Sequence, residues 1–266
     1  MFRVILLLAV LALLAGCAGG YRYETARLDS AGVEVNNLVY LPEDIKPSER
    51  YPAVVLCHGG QDGVEFATRG WARELARRGY VVVLPQFRGQ GGSGGHFDFG
   101  RAEVDDALAA LRYAGSLGYV DGGRVALVGY SLGGLVAIKA LVRSPEVKAA
   151  VFVSALSDPV DYFECRVADK IKDSPEQLAR HRAYSEERAV IIPQGCVKVP
   201  VLILHGEDDR TVGVGQSRRL YDKLKGAGAD VTLRTYPNIG HETMWYDAPR
   251  RDTIEFLDMR VKGGIR

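Results

Sequence analysis

The chain has 266 residues, 47% of them hydrophobic and 25% charged, with 31 glycines and 11 prolines. That composition supplies one substantial core and excludes disordered, collagen-like and coiled-coil chains. Lys and Arg number 34 against 33 Asp and Glu, so no basic excess points to a nucleic acid. Four cysteines without Cys-x-x-Cys spacing fit neither a disulfide scaffold nor a structural zinc site.

Met1-Phe2-Arg3 gives a short positive start, and Val4 to Leu14 is an unbroken apolar run. Its length suits a signal-peptide core and falls short of the roughly 20 residues of a membrane span. Leu14-Ala15-Gly16-Cys17 follows and resembles the lipobox of bacterial lipoproteins, in which the cysteine is lipidated and becomes the N-terminus. The alternatives are a plain secretory signal with an incidental cysteine, or a buried helix. On the lipoprotein reading residues 1–16 are a signal peptide and 17–266 the mature domain. Losing Arg3 alone among charged residues leaves 33 basic against 33 acidic groups, so attachment would come from acyl chains on Cys17 and not from surface charge. Ala18 in place of Asp suggests the outer membrane, facing the periplasm, if the source has one.

The mature chain alternates strands with helices. Residues 33–41 read as an opening strand, and Pro52 to Cys57 as a buried one. A helix from about Phe66 to Arg78 and a strand at Tyr80 to Leu84 follow. A Gly-rich loop, Arg88 to Gly95, leads to a helix near Arg101 to Leu117, strand Arg124 to Val128, helix Leu132 to Val142 and strand Val147 to Val153. The pattern resumes with strand Val199 to Leu204, helix Gly215 to Lys225, strand Val231 to Tyr236 and a closing helix near Pro249 to Val261. This alternation predicts a doubly wound, mostly parallel α/β sheet with chemistry at the carboxyl ends of its strands.

The interval 157–198 breaks the rhythm and reads as a small helical lid, the alternative being a solvated surface excursion. It is charged and carries Tyr162, Phe163 and Tyr184. Ser174-Pro175-Glu176-Gln177 is a capping box with proline at the first helical position, predicting a helix from Pro175 to about Glu187. Cys165 and Cys196 flank most of the interval; a disulfide and two free thiols both remain open.

Three loops carry the chemistry. Gly129-Tyr130-Ser131-Leu132-Gly133 joins an apolar strand to an apolar helix, the setting of a Gly-x-Ser-x-Gly nucleophile elbow. The turn forces Ser131 outward in a strained conformation and aims the Leu132 amide at a developing oxyanion. A serine hydroxyl needs a base. His241, in a turn after a strand, fits, whereas His181 reads as a solvated side chain and His58 and His205 as local structural hydrogen bonders. The imidazole needs a carboxylate. His205-Gly206-Glu207-Asp208-Asp209 offers three, and spacing does not choose among them. The order serine, acid, histidine matches the α/β-hydrolases and not the chymotrypsin or subtilisin types.

These segments, with His58-Gly59-Gly60, Phe87-Arg88-Gly89, Gly118 to Asp121 and Tyr236-Pro237, make nearly the whole mature chain resemble the α/β-hydrolase superfamily. The branch is that of the dienelactone hydrolases and of the catalytic domain of prolyl oligopeptidases. The resemblance implies an α/β-hydrolase fold with the lid insertion at about 157–198. It puts the triad acid on Asp209, with Asp208 as fallback, and the second oxyanion amide on Gly60. A serine stands where the dienelactone hydrolases carry cysteine, and 266 residues leave no room for the oligopeptidase propeller, so neither substrate class is carried over.

The resulting expectation is a serine hydrolase cleaving carboxylic esters through an acyl-enzyme, with a peptidase or amidase acting on short peptides as the alternative. A non-catalytic lipoprotein binding module is a third reading. The expected partners are a small ester or short peptide and, through Cys17, a membrane; no nucleic acid, metal or organic cofactor is expected. The histidines are dispersed, and Gly89 to Gly95 lacks the Lys-Ser/Thr ending of a phosphate loop. Oligomeric state is left open.

Overall fold

The computed structural model describes residues 20–60, 66–144 and 146–263; the lipobox-like segment with Cys17 lies outside them. Eight strands form one sheet in the order β1-β2-β4-β3-β5-β6-β7-β8. They are β1 (Tyr21–Ser30), β2 (Val33–Pro42), β3 (Tyr51–Cys57), β4 (Val81–Pro85), β5 (Val120–Tyr130), β6 (Ala149–Val153), β7 (Val201–Gly206) and β8 (Val231–Tyr236). The first two pairings, β1 with β2 and β2 with β4, are antiparallel, and all later ones are parallel. Sequence reasoning opened the sheet at residue 33. The structure adds β1, paired to β2 through a tight turn in which Ala31 and Gly32 both have positive φ, 51° and 83°.

The central strands read as continuous apolar runs because both of their faces are covered. On β3, Ala53, Val55 and Cys57 join one core with helices α2 (Glu103–Ser116), α3 (Leu132–Arg143) and α6 (Gly215–Gly226). Val54 and Leu56 point the other way, to α1 (Phe66–Arg77) and α7 (Asp247–Arg260). Side chains alternate between the faces of a strand, so a two-sided core needs apolar residues at every position. Each Val or Leu fully buried in this way contributes about 1.5–3 kcal/mol.

The 157–198 interval, between β6 and β7, holds α4 (Pro159–Arg166), a 3-10 turn at Ala168–Lys170 and α5 (Pro175–Glu186). Asp158 caps α4 by accepting the Asp161 N–H at 3.2 Å. Ser174 does the same for α5 with the Gln177 N–H at 3.5 Å. Proline stands at the first helical position of each. Cys165 and Cys196 are free thiols, one exposed and one half-buried.

Candidate active site

Ser131 sits between β5 and α3 with φ 53° and ψ −120°, a conformation that costs an L residue on the order of 1–3 kcal/mol. The backbone around it holds the strain. Its N–H donates to the Val153 carbonyl at 3.0 Å, and its own carbonyl accepts from the N–H groups of Gly134 and Leu156, each at 2.9 Å. The flanking glycine of the motif is required by contact: a Cβ on Gly133 would lie 2.3 Å from the carbonyl oxygens of both Cys57 and His58.

His241 lies in the loop after β8, with its Nε2 2.9 Å from Ser131 Oγ and its Nδ1 2.7 Å from Asp209 Oδ2. Donation from Nδ1 to the carboxylate leaves Nε2 as the acceptor of the serine proton. The Tyr130 hydroxyl fixes the histidine backbone by donating to the His241 carbonyl at 3.1 Å.

Of the three acids after β7, only Asp209 is buried; Glu207 and Asp208 are exposed. The exposed pair is turned outward by backbone bonds to the neighbouring strand and loop, Glu207 N–H to Tyr236 at 2.9 Å and Asp208 N–H to Ile239 at 3.0 Å. Gly206 permits this approach, since a Cβ there would meet the Ile239 carbonyl oxygen at 2.2 Å. Asp209 Oδ1 accepts the N–H groups of Thr211 and Val212, each at 2.9 Å. Burial works to raise its pKa, but hydrogen bonds from His205 and His241, the charge interaction with His241 and the Val212 amide outweigh it. The carboxyl is held well below the usual carboxylate range.

The serine and histidine open into a cavity of about 270 Å³. Gly60 and Leu132, whose amides the sequence reading assigns to an oxyanion hole, line the same cavity. Leu132 is the first residue of α3, where backbone N–H groups are unpaired within the helix. The remaining walls are Phe99, Leu156, Tyr162, Thr211 and Val212; of these the sequence reading singles out Tyr162, as an aromatic of the lid interval. Phe99 has φ 47° and its ring centre stands 6.2 Å from that of Tyr162 and 6.3 Å from that of Tyr184.

A buried cation ties this wall together. Arg188, just past α5, is 2% exposed. It donates from Nε to the Asp98 carbonyl at 3.1 Å, from Nη1 to the Tyr184 carbonyl at 2.8 Å and from Nη2 to the Asp98 carboxylate, while lying over the Tyr184 ring. Burial opposes ionisation of Asp98, but Arg101 and Arg188 prevail and lower its pKa. The insertion is therefore fastened to the loop that carries Phe99.

The other histidines named in the sequence make no hydrogen bond to the serine among the described residues. His58 is fully buried, with Nδ1 2.8 Å from the Gly59 carbonyl and its ring 4.7 Å from Phe87; burial lowers its pKa to about 4. His181 is exposed and stacked on Phe163. His205 is buried behind Asp209.

Comparison with known proteins places this geometry among relatives. The chain is 27% identical over 233 residues to YuxL of Bacillus subtilis, named an uncharacterized peptidase; the match covers 83% of this chain and 35% of YuxL. The fold is shared with an acylaminoacyl peptidase of Pyrococcus horikoshii, at TM-score 0.73 and 23% identity over 93% of this chain and 43% of that one. It is also shared with an esterase of Pyrococcus furiosus, at TM-score 0.72 and 20% identity over 91% and 92% of the two chains. The chain thus spans about a third of YuxL and nearly all of the esterase. Residues 67–260 match the profile of the prolyl oligopeptidase family across the elbow, the acid loop and the histidine loop alike, and the chain belongs to that family.

Proposed function

We propose that the protein is a serine hydrolase that cleaves carboxylic esters through an acyl-enzyme. One observation carries the reading: Ser131, His241 and Asp209 form an unbroken line of hydrogen bonds, 2.9 and 2.7 Å long, that opens on a largely apolar cavity. His241 Nε2 takes the Ser131 proton as Oγ attacks the acyl carbon. The Leu132 and Gly60 amides receive the charge that develops on the carbonyl oxygen, and His241 returns the proton to the leaving alcohol. Water, activated by the same histidine, then releases the acid. Phe99, Leu156, Tyr162 and Val212 offer the acyl chain an apolar seat.

A peptidase or amidase is the second reading, supported by the names of YuxL and of the P. horikoshii enzyme. The same histidine can protonate a departing amine, so the triad does not discriminate. Turnover of a p-nitrophenyl ester chain-length series against N-acyl and free aminoacyl amides decides between them. Fluorophosphonate labelling that persists in Ser131→Ala defeats both.

The cell-envelope reading of the leader is also a proposal, with Cys17 as the lipidated residue. The strand register supports a definite orientation for it. Asn37 pairs with Pro85 at the carboxyl end of β4 and Tyr21 pairs with Pro42, so Tyr21 stands at the end of the sheet away from the triad. Four peptide steps separate Cys17 from Tyr21, a reach of at most about 14 Å, while the ten residues of β1 rise roughly 30 Å. An anchor at Cys17 would hold the catalytic end outward, which favours water-soluble substrates over bilayer lipids. Metabolic labelling with palmitate, abolished by Cys17→Ala, tests the anchor.

A further inference from the structure

His205 lies in β7 with no exposed surface, and its surroundings fix its hydrogen positions. Nε2 is 2.8 Å from the Val212 carbonyl oxygen and 3.1 Å from Asp209 Oδ2. Both are acceptors, so Nε2 carries a hydrogen. Nδ1 is 2.6 Å from the hydroxyl of Ser217 on α6, which holds the ring from its other side. Asp209 Oδ2 accepts the Nδ1–H of His241 and lies 3.1 Å from His205 Nε2, whose single hydrogen it shares with the nearer Val212 carbonyl, while Oδ1 receives two backbone N–H groups. Among the described residues, the titratable groups in this hydrogen-bonded chain are Asp209, His205 and His241; Ser131 is its uncharged end at the cavity, and Ser217 and the Val212 carbonyl are its uncharged ends at His205.

We propose that His205 is a positioning residue of the triad. Its Nε2–H holds Asp209 Oδ2 toward His241 and ties that carboxylate to Val212, a wall of the acyl cavity. The inference rests on the hydrolase reading. Two consequences follow from the chemistry. A carboxylate oxygen shared by two donors spends part of its proton affinity on the second, so it stabilises an imidazolium at His241 less than an unshared oxygen would. It also cannot rotate, so the His241 ring keeps its aim at Ser131. The triad then works with a neutral His241 to lower pH than it would with Asp209 left to one imidazole.

The test is the pH dependence of fluorophosphonate inactivation, which needs no knowledge of the natural substrate. In His205→Leu the acidic limb is expected to move up by roughly half a unit to one unit, with inactivation at the plateau slower on the order of tenfold. His205→Gln, which restores an N–H near Nε2, is expected to bring the limb back toward the wild-type position. Ser217→Ala leaves the ring in place but removes the hydroxyl that holds its other side; it is expected to move the limb in the same direction by less, and it keeps the test alive if His205→Leu does not fold. A limb that stays put, or moves down, in folded His205→Leu or Ser217→Ala overturns the proposal and leaves His205 a packing residue. Labelling of wild type that does not depend on Ser131 overturns the hydrolase reading itself, and the two failures are told apart by the Ser131→Ala control.

Discussion

Around Ser131 the cavity is shaped by main chain: backbone bonds of 2.9–3.0 Å to Val153, Gly134 and Leu156, and a glycine pressed against two carbonyls. The opposite wall is shaped by side chains of the 157–198 interval, with Tyr162 and Tyr184 leaning on Phe99 and Arg188 reaching to Asp98. In α5 only Ser185 is buried, so that helix is held by few apolar contacts. Reaction geometry is thus entrusted to parts that almost no substitution can adjust, and substrate fit to parts that single substitutions can change.

The sharpest way to separate the two regions is Ser131→Ala. Turnover is expected to fall by about 10⁶ while Tm holds, because alanine keeps the Cβ and the same backbone conformation and no packing is lost; calorimetry beside an ester assay checks both. Asp209→Asn should cost roughly 10⁴ in kcat, since the amide can present the wrong hydrogen-bonding edge to His241 Nδ1. Gly133→Ala attacks the main-chain side. A Cβ 2.3 Å from two carbonyl oxygens must displace β3 or α3, and a destabilisation of about 3 kcal/mol, read by urea unfolding, is expected together with loss of activity.

Acid should weaken the main-chain side through His58. Its pKa is lowered to about 4 from an ordinary 6.5 by burial, with the Gly59 bond opposing. Its Nε2 also faces no acceptor. The unfolded chain therefore binds this proton first. The stability contributed by the neutral ring is complete above about pH 6.5 and lost as pH falls toward 4, on the order of 3 kcal/mol in all. Unfolding measured across that window should show the decline in wild type and a flatter profile in His58→Asn, which keeps a donor for Gly59. Asp209 acts lower: its depressed pKa gives stability that is complete above the ordinary carboxylate range and is lost below it. The smallest effect is expected from Arg188→Met on the side-chain wall. A loss of about 2 kcal/mol and a raised KM with kcat nearly kept would mark a region that seats substrate without touching the reaction.

The same division explains what was legible beforehand. The elbow announces itself because an apolar strand, two glycines and an apolar helix are all local requirements, and His241 follows from a turn after a strand. The acid was ambiguous by spacing; burial and the bond to His241 set Asp209 apart from Asp208 and Glu207. Strand β1 went unseen because its residues are mostly exposed or half-buried at a sheet edge and carry no apolar run. Helix α4, only eight residues with Pro159 and Phe163 buried, left too weak a periodicity, although Asp158-Pro159 was a readable cap. Phe99 had no sequence signal at all; its place in the wall depends on rings 63 and 85 positions later in the chain.

Gly206 has a mechanical implication. Because it lets the loop after β8 lie directly on the loop after β7, with bonds from Glu207 to Tyr236 and from Asp208 to Ile239, acid and imidazole are mounted on one rigid plate. Tyr130, the residue before the nucleophile, is bonded to that plate through the His241 carbonyl at 3.1 Å. Acid and base therefore keep their mutual distance when the loops around the cavity adjust, and Ser131 Oγ meets them at a single contact of 2.9 Å.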